Sequence, residues 1–152
     1  MLLASRAAID EINVVRRHLS AIKGGQLARR FSPAPVLTLA ISDVLGNDPA
    51  AIGSGPTVAD PSSYADALGV LARHGLLERV PRAVRRHLEL GSAGERPETP
   101  KPGDALFHGS RHVVIASLDM AIAAALNAAR AAGCDVLLHD RARAVGQSWR
   151  GG

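Results

Sequence analysis

Residues 18–30, HLSAIKGGQLARR, hold one of only two lysines, Lys23 and Lys101, among the 18 lysines and arginines of this chain. A lysine ammonium is a compact point charge that suits a phosphate. Gly24 and Gly25 would let the main chain approach a ligand, and a helix starting after them would offer free N–H groups to an anion. The same letters also suit a helix stop, with Lys23 complementing the helix carboxyl end. The order is not that of a Walker A loop. Just upstream, Asn13, Arg16 and Ser20 are spaced by 3 and 4, which puts them on one side of a helix. That stripe could read a carboxylate or hydroxyls, or it could face solvent. Glu11, Val15 and His18 lie along another side.

A second concentration of polar residues is the loop SDVLGNDPAAIGSGPTVADPSS, 42–63. It carries Ser42, Asp43, Asn47, Asp48, Ser54, Gly55, Thr57 and Asp60, and it is long for a loop without structure of its own. GSGP can form a nest of N–H groups around an anion. Asp43, just after a strand-like run, could hold Mg²⁺ or accept a hydroxyl proton. Ordinary turn and cap chemistry uses the same residue types.

Other chemistries are poorly served. The histidines show no metal-ligand spacing, and there is no Ser-His-Asp signature and no G-x-G-x-x-G fingerprint. The single cysteine, Cys134, excludes an internal disulfide and reads as a small buried residue, as in a reducing compartment. The net charge of +4 and the Arg pairs at 16–17, 29–30 and 85–86 suggest nucleic acid, but aromatics are only 3% of the chain and acidic residues are interspersed. No apolar run is long enough to span a membrane, and the N-terminus does not resemble a signal peptide.

The elements that must position these residues follow from periodicity. Ile9, Ile12, Val15 and Leu19 predict an amphipathic helix over 7–19, followed by a short helical piece at QLARR. VLTLAI (36–41), HVVIAS (112–117) and CDVLLHD (134–140) read as buried parallel strands bounded by turn formers. YADALGVLARHG, capped by Ser62 or Ser63, PRAVRRHLELG and the Ala-rich stretch after 117 read as helices. GSAGERPETPKPGD, 91–104, has the composition of a linker. The fold class is α/β with a parallel sheet, over a domain at 1–140 and an irregular tail at 141–152. In such a sheet ligands bind beyond the carboxyl ends of the strands, where the 42–63 loop begins.

EINVVRRHLSAIKGGQLA, LTLAISDVLGNDPAAIGSGPTVADP, ETPKPGDALF and VVIAS, in that order, resemble the N-terminal, MOFRL-associated domain (DUF4147) of glycerate 2-kinases, a family also labelled hydroxypyruvate reductase. The resemblance runs from residue 1 to about 138. It implies a Rossmann-like domain, a second smaller domain that this chain lacks, and ATP-dependent phosphoryl transfer to the 2-hydroxyl of D-glycerate with Mg²⁺, in the cytoplasm. Glu11, Asn13, Arg16, His18, Ser20, Lys23, Gly24 and Gly25 fall in the first family block. Ser42, Asp43, Gly46, Asp48, Ser54, Gly55, Pro56, Thr57 and Asp60 fall in the second. On this resemblance Lys23, Arg16 and Asp43 are the catalytic candidates. Glu11, Asn13, Ser20, Gly24, Gly25, Ser42, Ser54, Gly55 and Thr57 bind substrate or phosphate, and Asp43 and Asp48 hold the metal. Arg6 and Leu118 depart from the family pattern, and Met1 reads as the start of a fragment that is inactive alone. A hydroxypyruvate reductase and a non-catalytic α/β remnant are the alternatives.

Overall fold

The computed structural model describes residues 2–137. In chain order these form α1 (Ile9–His18), α2 (Gln26–Phe31), β1 (Leu37–Ser42), α3 (Tyr64–Arg73), α4 (Arg82–Ser92), β2 (Arg111–Ser117) and α5 (Leu118–Ala131), with short 3₁₀ turns between them. The α/β class stands.

The helices start where local chemistry satisfies their free N–H groups. The Ser63 hydroxyl accepts from the Asp66 amide at 3.2 Å, and Asp66 accepts from the Ser63 amide at 2.8 Å, a reciprocal cap at the head of α3. In α1, Asp10 and Glu11 occupy the first turn and Arg16, Arg17 and His18 the last, the order that the helix dipole favours. Ile12 and Val15 are buried as the spacing predicts, but Ile9 and Leu19 are exposed. Asn13 and His18 are buried in their place, so α1 puts polar groups inside.

Val15, Tyr64, Ala67, Val70, Leu71, Leu76 and Leu88 form the core where α1, α3 and α4 meet. Gly91 of α4 lies directly against the Tyr64 ring; a Cβ there would stand 2.3 Å from its Cγ.

The stretch 91–104 is not a linker. Thr99 and Pro100 are buried, and the Asp60 amide donates to the Pro100 carbonyl at 2.8 Å. Arg29 Nη2 donates to the Glu98 carbonyl at 2.7 Å. Composition misreads this strap because its burial rests on paired polar groups, which leave no apolar period.

β1 and β2 pair in parallel from Leu37↔Arg111 to Ser42↔Ser117, with a register shift between Ala40 and Ile41. Two further expectations fail here. Residues 134–137 form no strand, and the rest of that predicted run, like the tail 141–152, lies outside the described residues. The two strands are also not buried: Leu37, Leu39, Ile41, Val113 and Ile115 are all exposed. Cys134 is exposed as well, since among the described residues no third strand packs against it. Among the described residues no helix is long and apolar enough to cross a membrane.

Candidate anion-binding cleft beyond strand β1

The carboxyl end of β1 opens onto a cleft of about 680 Å³. Asn13 and Arg16 line it from α1, and Asp43, Asp48 and Ser54 line it from the loop after the strand. Asn13 is the hinge between the two walls. Its Oδ1 accepts from the buried Ser54 hydroxyl at 2.8 Å and from Arg16 Nη1 at 3.4 Å. The polar stripe of α1 is therefore not wholly a solvated face: its first member is 3% exposed. Ser54 is held at φ +64, a conformation that few non-glycine residues adopt.

Lys23 reaches the rim of the same cleft. Its Nζ donates to the Gly53 carbonyl at 2.6 Å. Burial, and then the nearby Arg16 charge, push its pKa below the ordinary lysine value. No carboxylate pairs with either Arg16 or Lys23 among the described residues. Arg16 in the lining and Lys23 at the rim thus stand as neighbouring cations without a direct ion pair, at a cleft that Asp10, Asp43 and Asp48 also line.

The glycine amides do not join them. Gly24 N–H donates to the Ser54 carbonyl at 3.1 Å and Gly25 N–H to the Gly55 carbonyl at 2.8 Å, while Leu27 and Ala28 both donate to the Pro56 carbonyl. The expected open helix start is thus closed by main-chain bonds to GSGP. The expected nest is closed too, because the Ser54 and Gly55 amides donate to Ala51 and Ile52 carbonyls. The two glycines serve a different need. Their φ angles are +57 and +76, and a Cβ on Gly24 would meet Arg17 Cβ at 3.0 Å and Asp60 Oδ2 at 3.1 Å. They allow the Lys23 turn to lie flat against the loop.

Other candidates stand elsewhere. Glu11 turns to α3, where it accepts from Arg73 Nη2 and pairs with His74 Nε2, both at 2.8 Å. Those contacts, Arg73 first, lower its pKa to about 2. The Ser20 hydroxyl accepts from the amides of Ile22 and Lys23 and so shapes the turn. Ser42 Oγ bonds the Val44 main chain. Thr57 is buried beneath the sheet, bonded to Thr38 Oγ1 at 2.7 Å and His112 Nε2 at 2.9 Å. Asp48 Oδ1 accepts from the Ala50 amide at 2.9 Å.

Sequence reasoning missed a buried polar network behind the cleft. Asp60, 1% exposed, accepts from Arg17 Nη1 at 3.3 Å, Thr99 Oγ1 at 3.1 Å and Ser62 Oγ at 2.6 Å. Arg17 also donates to the Ala50 carbonyl at 2.8 Å, tying α1 to the loop. Lys101 Nζ bonds Thr99 Oγ1, Glu98 Oε2 and the Ser62 carbonyl. Burial raises the Glu98 pKa, but the Tyr64 amide and Lys101 outweigh it and the net shift is downward. The one signal in the sequence was Lys101, the only lysine besides Lys23, which sits in the PKPGD stretch that composition assigned to a linker.

A family model described as "Domain of unknown function (DUF4147)" matches residues 1–89, more than half of the chain. The chain belongs to the DUF4147 family. It is 49% identical over 142 residues to an Agrobacterium vitis protein named "Putative hydroxypyruvate reductase", which covers 91% of this chain and 30% of that one. It is 48% identical over 101 residues to the glycerate 2-kinase of Pyrococcus horikoshii, covering 66% of this chain and 23% of that one. Among solved structures, a Pyrococcus horikoshii protein matches with a TM-score of 0.71 at 41% identity, over 87% of this chain and 29% of that chain. The glycerate kinase of Thermotoga maritima matches with a TM-score of 0.69 at 36% identity, over 88% and 29%. This DUF4147 chain therefore spans about a third or less of the length of these relatives.

Proposed function

We propose that the cleft is the anion-holding wall of a glycerate 2-kinase site, in which the γ-phosphoryl of ATP passes to the 2-hydroxyl of D-glycerate. The observation that carries the reading is Arg16 in the lining and Lys23 at the rim of one cleft, neither ion-paired among the described residues, with Asp10, Asp43 and Asp48 in the same lining. Support from kinship comes from the relatives named as glycerate kinases.

The substrate hydroxyl oxygen forms the new bond to γ-phosphorus while the bond from phosphorus to the β–γ bridging oxygen breaks, and ADP leaves. The hydroxyl proton goes to a carboxylate of the cleft, with Asp43 the better placed because Asp48 is already turned to Ala50. Arg16 and Lys23 offset the negative charge on the transferring group or on the glycerate carboxylate. Asn13 and Ser54 fix the cleft wall. Asp43 and Asp48 are hard oxygen donors of the kind Mg²⁺ takes one or two at a time, with phosphate and water completing its shell. When bound, the ion would neutralise phosphate charge. Gly24 and Gly25 hold the Lys23 turn in place.

The test grafts this chain in place of the matched segment of the Pyrococcus horikoshii glycerate 2-kinase. Lys23→Arg keeps the charge but substitutes a longer planar fork for a point donor aimed at Gly53. It lowers kcat by a factor on the order of 10²–10³, as loss of a preorganised donor does. Unchanged kcat and KM for ATP and D-glycerate would sink the proposal. For the 152-residue chain alone, assayed with ATP, Mg²⁺ and D-glycerate, the expected result is no turnover.

A further inference from the structure

Beyond the carboxyl end of α1 lies a second pocket, of about 380 Å³, which shares no lining residue with the cleft. It forms where that helix end, α2, the head of α3, α4 and the strap after α4 meet. Arg29 and Arg30 enter it from α2 and Arg96 from the strap, and no Asp or Glu lines it. None of the three arginines forms an ion pair among the described residues.

Two of the arginines are anchored without being neutralised. Arg29 Nη1 donates to Gln26 Oε1 at 3.0 Å and Arg29 Nη2 to the Glu98 carbonyl at 2.7 Å. Arg30 Nε donates to the Ala21 carbonyl at 3.3 Å. These acceptors are uncharged, so they fix the guanidiniums and leave the positive charge for a ligand. A guanidinium meets the oxygens of a phosphoryl group with paired N–H donors.

Tyr64 supplies an independent sign of a missing partner. It is 5% exposed, and its ring packs edge-on against His18 and His87, at centroid distances of 4.7 and 5.7 Å. Its amide donates to Glu98 Oε1 at 2.9 Å, but its hydroxyl has no hydrogen bond among the described residues. Buried tyrosine hydroxyls ordinarily find a partner. No fully enclosed side-chain polar atom there lacks one, so this hydroxyl opens on the pocket that Tyr64 lines. Burial, and then Glu98, raise the Tyr64 pKa, while Arg96 and Arg29 pull the other way. The hydroxyl is thus a neutral donor set beside two guanidiniums.

We propose that this pocket is a separate anion site that takes a phosphoryl group, free or as a small phosphomonoester, through Arg29, Arg30, Arg96 and the Tyr64 hydroxyl. Its volume falls within the roughly 300–1,000 Å³ of small-molecule sites. The Tyr64 ring is taken up by His18, His87 and Gly91, so it offers no face for a nucleobase to stack on. Nothing here depends on phosphoryl transfer in the cleft, and either reading can fail alone.

The test titrates the 152-residue chain with inorganic phosphate, glycerol 2-phosphate and malonate in separate runs at low ionic strength, followed by calorimetry and by amide chemical shifts. The expected result is saturable binding of a phosphoryl probe, with the largest shifts at residues 20–21, 29–30 and 96–97. Tyr64→Phe removes only the hydroxyl, and Arg96→Gln changes an exposed side chain with no hydrogen bond among the described residues. Each weakens binding by a factor on the order of 10 or more, as loss of a hydrogen bond to a charged group does. Both variants melt within about 2 °C of the parent, since neither group has a bonded partner to lose. Arg16→Gln, in the cleft, leaves the affinity unchanged. Equal affinity for the two phosphoryl probes assigns the site to free phosphate, and tighter binding of glycerol 2-phosphate assigns it to phosphomonoesters. Four results would each overturn the proposal: no saturable binding at millimolar concentration, shifts confined to the cleft, malonate bound as tightly as the phosphoryl probes, or unchanged affinity in either pocket variant.

Discussion

Asp60 offers the most exacting check on how the cleft is built. Its carboxylate is fully buried, and Arg17, with only 12% of its side chain exposed, is its charge partner at 3.3 Å. Asp60→Asn is nearly isosteric, so the packing stays and only charge and hydrogen-bond polarity change. Oδ1 accepts from Arg17 and from the Ser62 amide and hydroxyl, while Oδ2 accepts from Thr99 Oγ1. An amide nitrogen placed at Oδ2 would point at a hydroxyl that already accepts from Lys101 at 2.9 Å. Placed at Oδ1, it would face three donors. Either orientation leaves Arg17 buried without a counter-charge. Removing one partner of a buried pair costs roughly 3–5 kcal/mol, or roughly 6–20 °C of melting temperature for a chain of this size. The assay is a thermal melt followed by circular dichroism at 222 nm, with Arg17→Met and the double variant beside it. Arg17→Met alone also destabilises, and the double variant is less destabilised than the two singles added, because it strands no charge. A melt for Asp60→Asn within 2 °C of the parent would refute the reasoning.

Gly91→Ala, normally favourable by about 1 kcal/mol in a helix interior, is instead destabilising by roughly 1–3 kcal/mol, because its Cβ would overlap the Tyr64 ring; a melt at or above the parent's would contradict the packing of α3 on α4. Glu11 titrates at about 2 in the fold against an ordinary 4.5, so its stabilising contribution is complete above about pH 4.5 and is lost as the pH falls toward 2. Glu11→Gln therefore melts below the parent at pH 7, and the two curves converge near pH 2; a constant gap between the two across that range would show that the Arg73 and His74 contacts do not act through its charge.

Helix positions were legible because they rest on local rules. The Ser63 cap, the Pro81 boundary and the Ile12–Val15 stripe each involve residues within one or two turns. The convergence of Lys23 with the 42–57 loop was legible through the family blocks, since residues thirty apart in sequence carry no local signal of contact. What could not be read was the use of each donor. GG and GSGP look alike as separate anion nests, yet the structure spends their amides on each other, Gly24 on Ser54 and Gly25 on Gly55. Spacing cannot show that, because it is a property of two turns meeting. It changes the chemistry expected of the cleft: with the Gly24, Gly25, Ser54 and Gly55 amides already taken, the donors left from the first family block are side chains, Arg16 and Lys23 among them.

The misreading of β1 and β2 as buried has a related cause. Hydrophobic patterning reports what a segment requires, not what this chain supplies. LTLAI and HVVIA have the continuous apolar character of strands covered on both faces, and the described residues half-cover one face and leave the other open. Both the pattern and the exposure are informative when taken together, since a segment written for burial but left open specifies a missing contact surface. The cleft lies at the carboxyl end of that same β1, with Asp43 directly after Ser42. Packing against Leu39 and Ile41 therefore bears on the position of the strand end, and with it on the distance from Asp43 to Arg16 across the cleft.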